Sequence, residues 1–159
     1  MRTFWSSYAS PRLTFGAGVL NEIRNVVSQV GGCRVLIITD PILESLGIVD
    51  RVRQALDAEI EVFAEGEAEP STKAVARCAE IARAYGPDTT LAIGGGSNMD
   101  LAKLACAMVS SGRAPETLLG FDEIPGPTGP LICVPTTAGT GSEVSHSAVI
   151  RNSSNGKKA

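Results

Sequence analysis

Histidine is nearly absent from this sequence: His146 is the one instance in 159 residues, so a histidine-rich metal site cannot be assembled from this chain alone. Positive charge is also scarce. Fourteen Lys and Arg face 17 Asp and Glu, giving a net charge of −3, and the pI is near 5.2. No basic field is available to gather phosphate backbones, which argues against DNA or RNA as partners. No apolar run approaches the ~20 residues that a membrane helix needs. The opening Met1-Arg2-Thr3-Phe4-Trp5 lacks the apolar stretch of a signal peptide, so a cytoplasmic location without membrane attachment is expected. Cysteines at 33, 78, 106 and 133 show no paired spacing, and their apolar neighbours suit reduced, buried, structural thiols.

What remains is the composition of one soluble globular domain, with 43% hydrophobic and 19% charged residues. Arg34-Val35-Leu36-Ile37-Ile38-Thr39-Asp40 is a short apolar run closed by an acid, the pattern of a strand buried on both faces. Leu43, Leu46, Val49, Val52 and Leu56 then recur at helical steps, with a break expected near Gly47. Ile60 to Phe63 alternates as a strand. Pro70-Ser71-Thr72 opens a second amphipathic helix, which Gly86-Pro87 ends. Thr90 to Ile93 is another buried strand, running into Gly94-Gly95-Gly96 and a helix over 98–109. After a Gly- and Pro-rich loop, Leu131 to Val134 supplies one more strand. Such alternation predicts an α/β fold: a doubly wound parallel sheet, Rossmann-like, with helices on both faces. Residues 1–159 are expected to form one dinucleotide-binding domain. Arg151 to Ala159 is polar with no core period and reads as a ragged tail, as though the domain were truncated in a loop.

Ligands of open parallel sheets sit beyond the carboxyl ends of the strands. Three such ends carry unusual residues: Thr39-Asp40, Gly94 to Ser97, and Pro135 to Ser142. The glycines allow close backbone approach, and the following helix offers free N–H groups and a positive dipole end, which suits a pyrophosphate. The alternative is a plain capped turn, with Ser97 as N-cap and Asp100 completing a capping box; three consecutive glycines exceed what a cap requires. Asp40 stands where a carboxylate accepts from a ribose diol and repels a 2′-phosphate, favouring NAD over NADP, although Asp-Pro also starts turns. Thr136, Thr137, Thr140 and Ser142 form the densest hydroxyl cluster, with Thr140 and Glu143 alternatively starting a helix. Lys103 reads as a solvated helix lysine and His146 as a cleft or packing residue. Gly16-Ala17-Gly18 lacks the third glycine of a dinucleotide fingerprint, and no Gly-Lys-Ser/Thr or Gly-x-Ser-x-Gly motif occurs.

Phe15-Gly16-Ala17-Gly18, Thr39-Asp40-Pro41, Gly94 to Lys103 and Pro135 to Val144 together resemble, in order and spacing, the iron-containing (metal-dependent, group III) alcohol dehydrogenase family. The resemblance implies an oxidoreductase that passes hydride between NAD(P) and a small alcohol, aldehyde or ketone. An amino-terminal domain would hold the cofactor and a helical second domain a divalent iron. By position, Asp40 would bind the adenosine ribose and Gly95, Gly96 and Ser97 the pyrophosphate. Thr136, Thr137 and Thr140 would bind the remaining phosphate and ribose groups. Val149 and Lys158 would also face the cofactor, and Asp100 would approach its nicotinamide end. The aspartate and three histidines that hold metal in relatives are not in these 159 residues, so no catalytic or metal-binding residue is assigned and the chain alone is expected to be inactive. Glu69 stands where relatives often carry an asparagine before the proline. A homo-oligomer is expected of the full-length form. A non-catalytic NAD-binding module and, more distantly, a dehydroquinate-synthase-like lyase are the alternative readings.

Overall fold

The computed structural model of the protein describes residues 11–159, so the reading of Met1 to Trp5 lies outside the described residues. Four strands make one sheet: β1 (Arg34–Ile38), β2 (Glu59–Phe63), β3 (Thr89–Gly94) and β4 (Leu131–Pro135), in the spatial order β2-β1-β3-β4. All three pairings are parallel, with Ile38 opposite Phe63 and Ala92, and Gly94 opposite Pro135, so every carboxyl end lies along one edge.

Helices cover both faces, as the uninterrupted apolar strands require. Leu36, Ile38 and Ala92 point to α4 (Thr72–Tyr85) and α5 (Gly96–Ser111), burying Val75, Cys78, Ala79, Met99 and Leu101. Val35, Ile37, Leu91 and Ile93 point the other way, against Ile23 and Val27 of α1 (Ile23–Gln29) and Val49 and Val52 of α3 (Ile48–Ala55). Each buried Val, Leu, Ile or Met side chain among these contributes about 1.5–3 kcal/mol relative to exposure. The short α2 (Pro41–Ser45) precedes α3, and the expected break falls at Gly47, whose φ of 72° is left-handed. Ser71 caps α4 by accepting from the Ala74 N–H, and Gly86 ends it at φ 67°. Among the described residues no helix is long and apolar enough to cross a membrane.

Two segments differ from the sequence reading. Residues 150–159 are not a ragged tail. Ile150 and Ala159 exchange both backbone hydrogen bonds, Asn152 N–H donates to Lys157 O, and the Ile150 side chain is buried in the α4/α5 core. This hairpin docks on the start of α4, with Arg151 N–H donating to Pro70 O and Thr72 N–H to Arg151 O. One buried apolar residue at its base was too little signal to show as a period. The second difference is Cys33, which is exposed because it precedes β1 at the sheet's amino edge; Cys78 is buried, and Cys106 and Cys133 are partly so.

Candidate functional site

β1 and β3 are neighbours whose connections leave in opposite directions, toward β2 and β4, which makes the crevice between their carboxyl ends the switch point of the sheet. Asp40 follows β1 and Gly94 to Ser97 follow β3, so the two expected ligand-binding segments flank it.

The glycines are required by close approach. Gly94 adopts φ 146°, and a Cβ there would lie 2.1 Å from Asn98 Nδ2. Gly66, which sequence reading passed over, has the same constraint: its Cβ would meet Asn98 Oδ1 at 2.3 Å and Thr39 O at 2.5 Å. A Cβ on Gly95 would come within 3.2 Å of Thr137 Oγ1, and one on Gly96 within 3.2 Å of Thr140 Cβ. Thr137 and Thr140 therefore stand directly over the turn. Thr136 is placed beside it by its N–H, which donates to Gly94 O at 2.9 Å.

The cap of α5 is Gly95, with no side-chain capping bond. Ser97 is the second helical residue rather than the N-cap, because the helix starts two residues earlier than a Ser97 cap would need. The first intrahelical bonds run from Asn98 and Met99 N–H to Gly95 O, so the Gly96 and Ser97 amides precede them. Asp100 does not turn back to cap. Its Oδ1 accepts from Ser142 Oγ at 2.5 Å and from Lys103 Nζ at 3.4 Å, and its Oδ2 from Val149 N–H at 2.9 Å.

Lys103 is the residue that sequence reading undervalued. Its side chain is 12% exposed, and the ammonium also donates to Ser142 Oγ (2.9 Å), Ser145 Oγ (3.2 Å) and Ser147 O (2.7 Å). Lys103 and Asp100 together fasten the 142–149 segment to α5. Thr140 starts no helix; it accepts from Ser142 N–H and bonds Glu143 within a turn. His146 is exposed. Asp40 serves the backbone as well, with Oδ1 accepting from Ile42 and Leu43 N–H at 3.0 Å as the cap of α2.

A cleft of about 200 Å³ opens at this edge. Gly96, Ser97 and Asp100 form its α5 wall, and Val149, Arg151 and Lys158 form the wall from the hairpin side. Glu69 and Pro70 complete the lining. Five of the ten expected cofactor residues thus line one space: Gly96, Ser97, Asp100, Val149 and Lys158. Gly95, Thr137 and Thr140 border it through the glycine turn, and Asp40 is joined to it through Asn98. Glu69 holds a left-handed φ of 56°, a region that asparagine tolerates better than glutamate, and pairs with Lys158 Nζ at 2.5 Å. The Lys158 hydrogen bond and charge, with a lesser pull from Arg151, hold the Glu69 carboxyl below its ordinary range.

These residues fit a dinucleotide: two first-turn amides with no acceptor among the described residues, side-chain hydroxyls over a turn that admits no Cβ at Gly94, and two cations. They do not fit a metal. Among the described residues no group of three or more His, Cys, Asp or Glu side chains is placed to hold an ion.

Comparison with known proteins points the same way. The chain is 34% identical over 154 residues to a sulfoacetaldehyde reductase of Bilophila wadsworthia, covering 95% of this chain and 40% of that protein. It is 38% identical over 158 residues to the bifunctional aldehyde-alcohol dehydrogenase AdhE of Escherichia coli K12, covering 91% of this chain and 18% of that one. The crystal structure of sulfoacetaldehyde reductase from Bifidobacterium kashiwanohense in complex with NAD+ superposes with a TM-score of 0.89 at 33% identity, over 98% of this chain and 42% of that chain. The chain therefore spans less than half the length of each. A sequence profile described as iron-containing alcohol dehydrogenase matches residues 10–159, and with the parallel sheet and the glycine turn in agreement, the chain belongs to that family.

Proposed function

We propose that residues 1–159 form the dinucleotide-binding domain of an oxidoreductase that transfers hydride between NAD and a small alcohol or its aldehyde or ketone. The observation that carries this reading is the cleft beyond the carboxyl end of β3, where a 16-residue helix presents its first amides to a space flanked by Lys158 and Arg151. NAD, when bound, supplies the hydride acceptor. The chain's own residues bind and orient it. The Gly96 and Ser97 N–H groups donate to the diphosphate, where the positive end of α5 favours negative charge. Thr136, Thr137 and Thr140 donate hydroxyl protons along the same side, and Lys158 donates to ribose or phosphate oxygens.

Asp40 binds the adenosine ribose. Its carboxylate has about four acceptor positions, of which Ile42, Leu43 and Asn98 fill three. One is left for a ribose hydroxyl, and the charge disfavours the 2′-phosphate of NADP. Asp100, already fastened to Ser142, Lys103 and Val149, is positioned to meet the nicotinamide end. Iron enters only through the family. The described residues offer it no site. A cytoplasmic location and a homo-oligomeric full-length form complete the reading.

Titration of the protein into NADH tests it. Enhanced and blue-shifted nicotinamide fluorescence is expected. Unchanged emission at all protein concentrations overturns the reading.

A further inference from the structure

Two cations line the cleft, and they differ in what already holds them. Lys158 Nζ is engaged by Glu69 Oε1 at 2.5 Å. Arg151 is anchored only through its backbone: its N–H donates to Pro70 O, its carbonyl accepts from Thr72 N–H, and it bridges Ser71 and Lys158. Its side chain makes no hydrogen bond or ion pair among the described residues, although it shares the cleft with Gly96, Ser97 and Glu69. A guanidinium presents donors in a planar fork that matches two phosphate oxygens at once, whereas an ammonium is a point charge. Here the better phosphate ligand has no hydrogen-bond partner and feels Glu69 only through its charge, while the ammonium is hydrogen-bonded to that carboxylate.

Resting on the dinucleotide reading above, we propose that Arg151 is a diphosphate-contacting residue of the cofactor cleft, and that Glu69, by pairing with Lys158, leaves the ammonium to the ribose hydroxyls and the diphosphate to Arg151. The backbone supports this division. Arg151 is fixed between two strand-like partners, so its side chain starts from one place, while Lys158 lies on the outer arm of the hairpin. Glu69 is held there at some backbone cost, since φ 56° is unfavourable for a residue with a long side chain. Its carboxylate would also repel a bound diphosphate were Lys158 not paired with it.

The test compares NADH affinity of the protein at its full natural length with that of Arg151→Gln, Arg151→Lys and Glu69→Gln, at low and high ionic strength. Arg151→Gln should weaken binding roughly tenfold at low salt, the loss expected for one charge-assisted pair. That deficit should shrink as salt rises, because the contact is exposed to screening. Arg151→Lys should restore part of the affinity. Glu69→Gln should tighten binding severalfold by releasing Lys158. Melting temperatures should stay together, since the bonds that fasten Arg151 belong to its main chain. If the parent binds NADH and Arg151→Gln binds equally well at low salt, the role of Arg151 is overturned while the dinucleotide reading stands. A deficit that ignores salt and accompanies a lower melting temperature assigns Arg151 a structural role and also overturns it. If the parent fails to bind NADH, both fall.

Discussion

Asn98 Nδ2 donates to Asp40 Oδ2 at 2.8 Å and to Ile93 O at 3.0 Å, tying the residue after β1 to the helix that follows β3. The two lips of the switch-point crevice are thereby joined through one buried amide. Asp40→Ala removes the α2 cap and this tether together and should cost about 1–2 kcal/mol. At 25 °C the variant should remain folded, given the 5–15 kcal/mol typical of a domain. Its NADH affinity can then be measured, and an affinity equal to the parent's removes Asp40 from the cofactor's contacts. Asn98→Ala should be costlier, about 2–3 kcal/mol by thermal melting, because Ile93 O loses its side-chain donor inside the core.

Gly94→Ala should destabilise by more than about 2 kcal/mol, since the new Cβ meets the Asn98 amide in a backbone region that L side chains rarely adopt. Gly126→Ala meets nothing within 4 Å and should stay within about 0.5 kcal/mol of the parent. Equal melting temperatures for the two variants would show that the glycine turn tolerates a side chain.

Lys103→Met removes the ammonium that gathers Asp100, Ser142, Ser145 and Ser147. The pair is only 12% and 14% exposed, so a loss of about 1–3 kcal/mol is expected. The more specific readout is limited proteolysis: cleavage within 140–149 should accelerate while the sheet stays protected. An unchanged digestion pattern would mean that other contacts hold the segment.

Thiol labelling at pH 8 should modify Cys33 rapidly and the other three cysteines only in denaturant. Burial pushes the thiols of Cys78 and Cys106 up, and that of Cys133 up to about 11. The sign for stability follows from keeping these thiols protonated when folded. Their contribution is fully present below the unfolded thiol value near 9 and is lost as pH rises from there toward 11. An alkaline loss of stability that begins in that window, smaller in a Cys133→Ala variant because Cys78 and Cys106 still contribute, is the expected outcome.

The sheet was legible in the sequence because strands buried on both faces have no polar alternation to confuse: Val35 to Ile38 and Leu91 to Ile93 read directly as core. The glycine turn was legible for a similar reason, since three glycines have few other uses. Asn98 and Lys103 were harder. An amide or ammonium near a helix start looks the same in sequence whether it faces water or clamps a loop 39 to 44 residues away. The hairpin over 150–159 was missed because its docking relies on backbone pairing with Pro70 and Thr72, which leaves almost no side-chain trace.

That hairpin has a consequence for synthesis on the ribosome. Lys158 meets Glu69 across 89 residues of chain, and Ser153 meets Thr72 across 81. Contacts that distant wait until both segments have left the exit tunnel. A nascent chain halted shortly after β4 could already hold its four paired strands, yet the wall bearing Val149, Arg151 and Lys158 would not exist. Foldedness would then come before competence to capture a nucleotide, and translational arrest at successive lengths would separate the two in time.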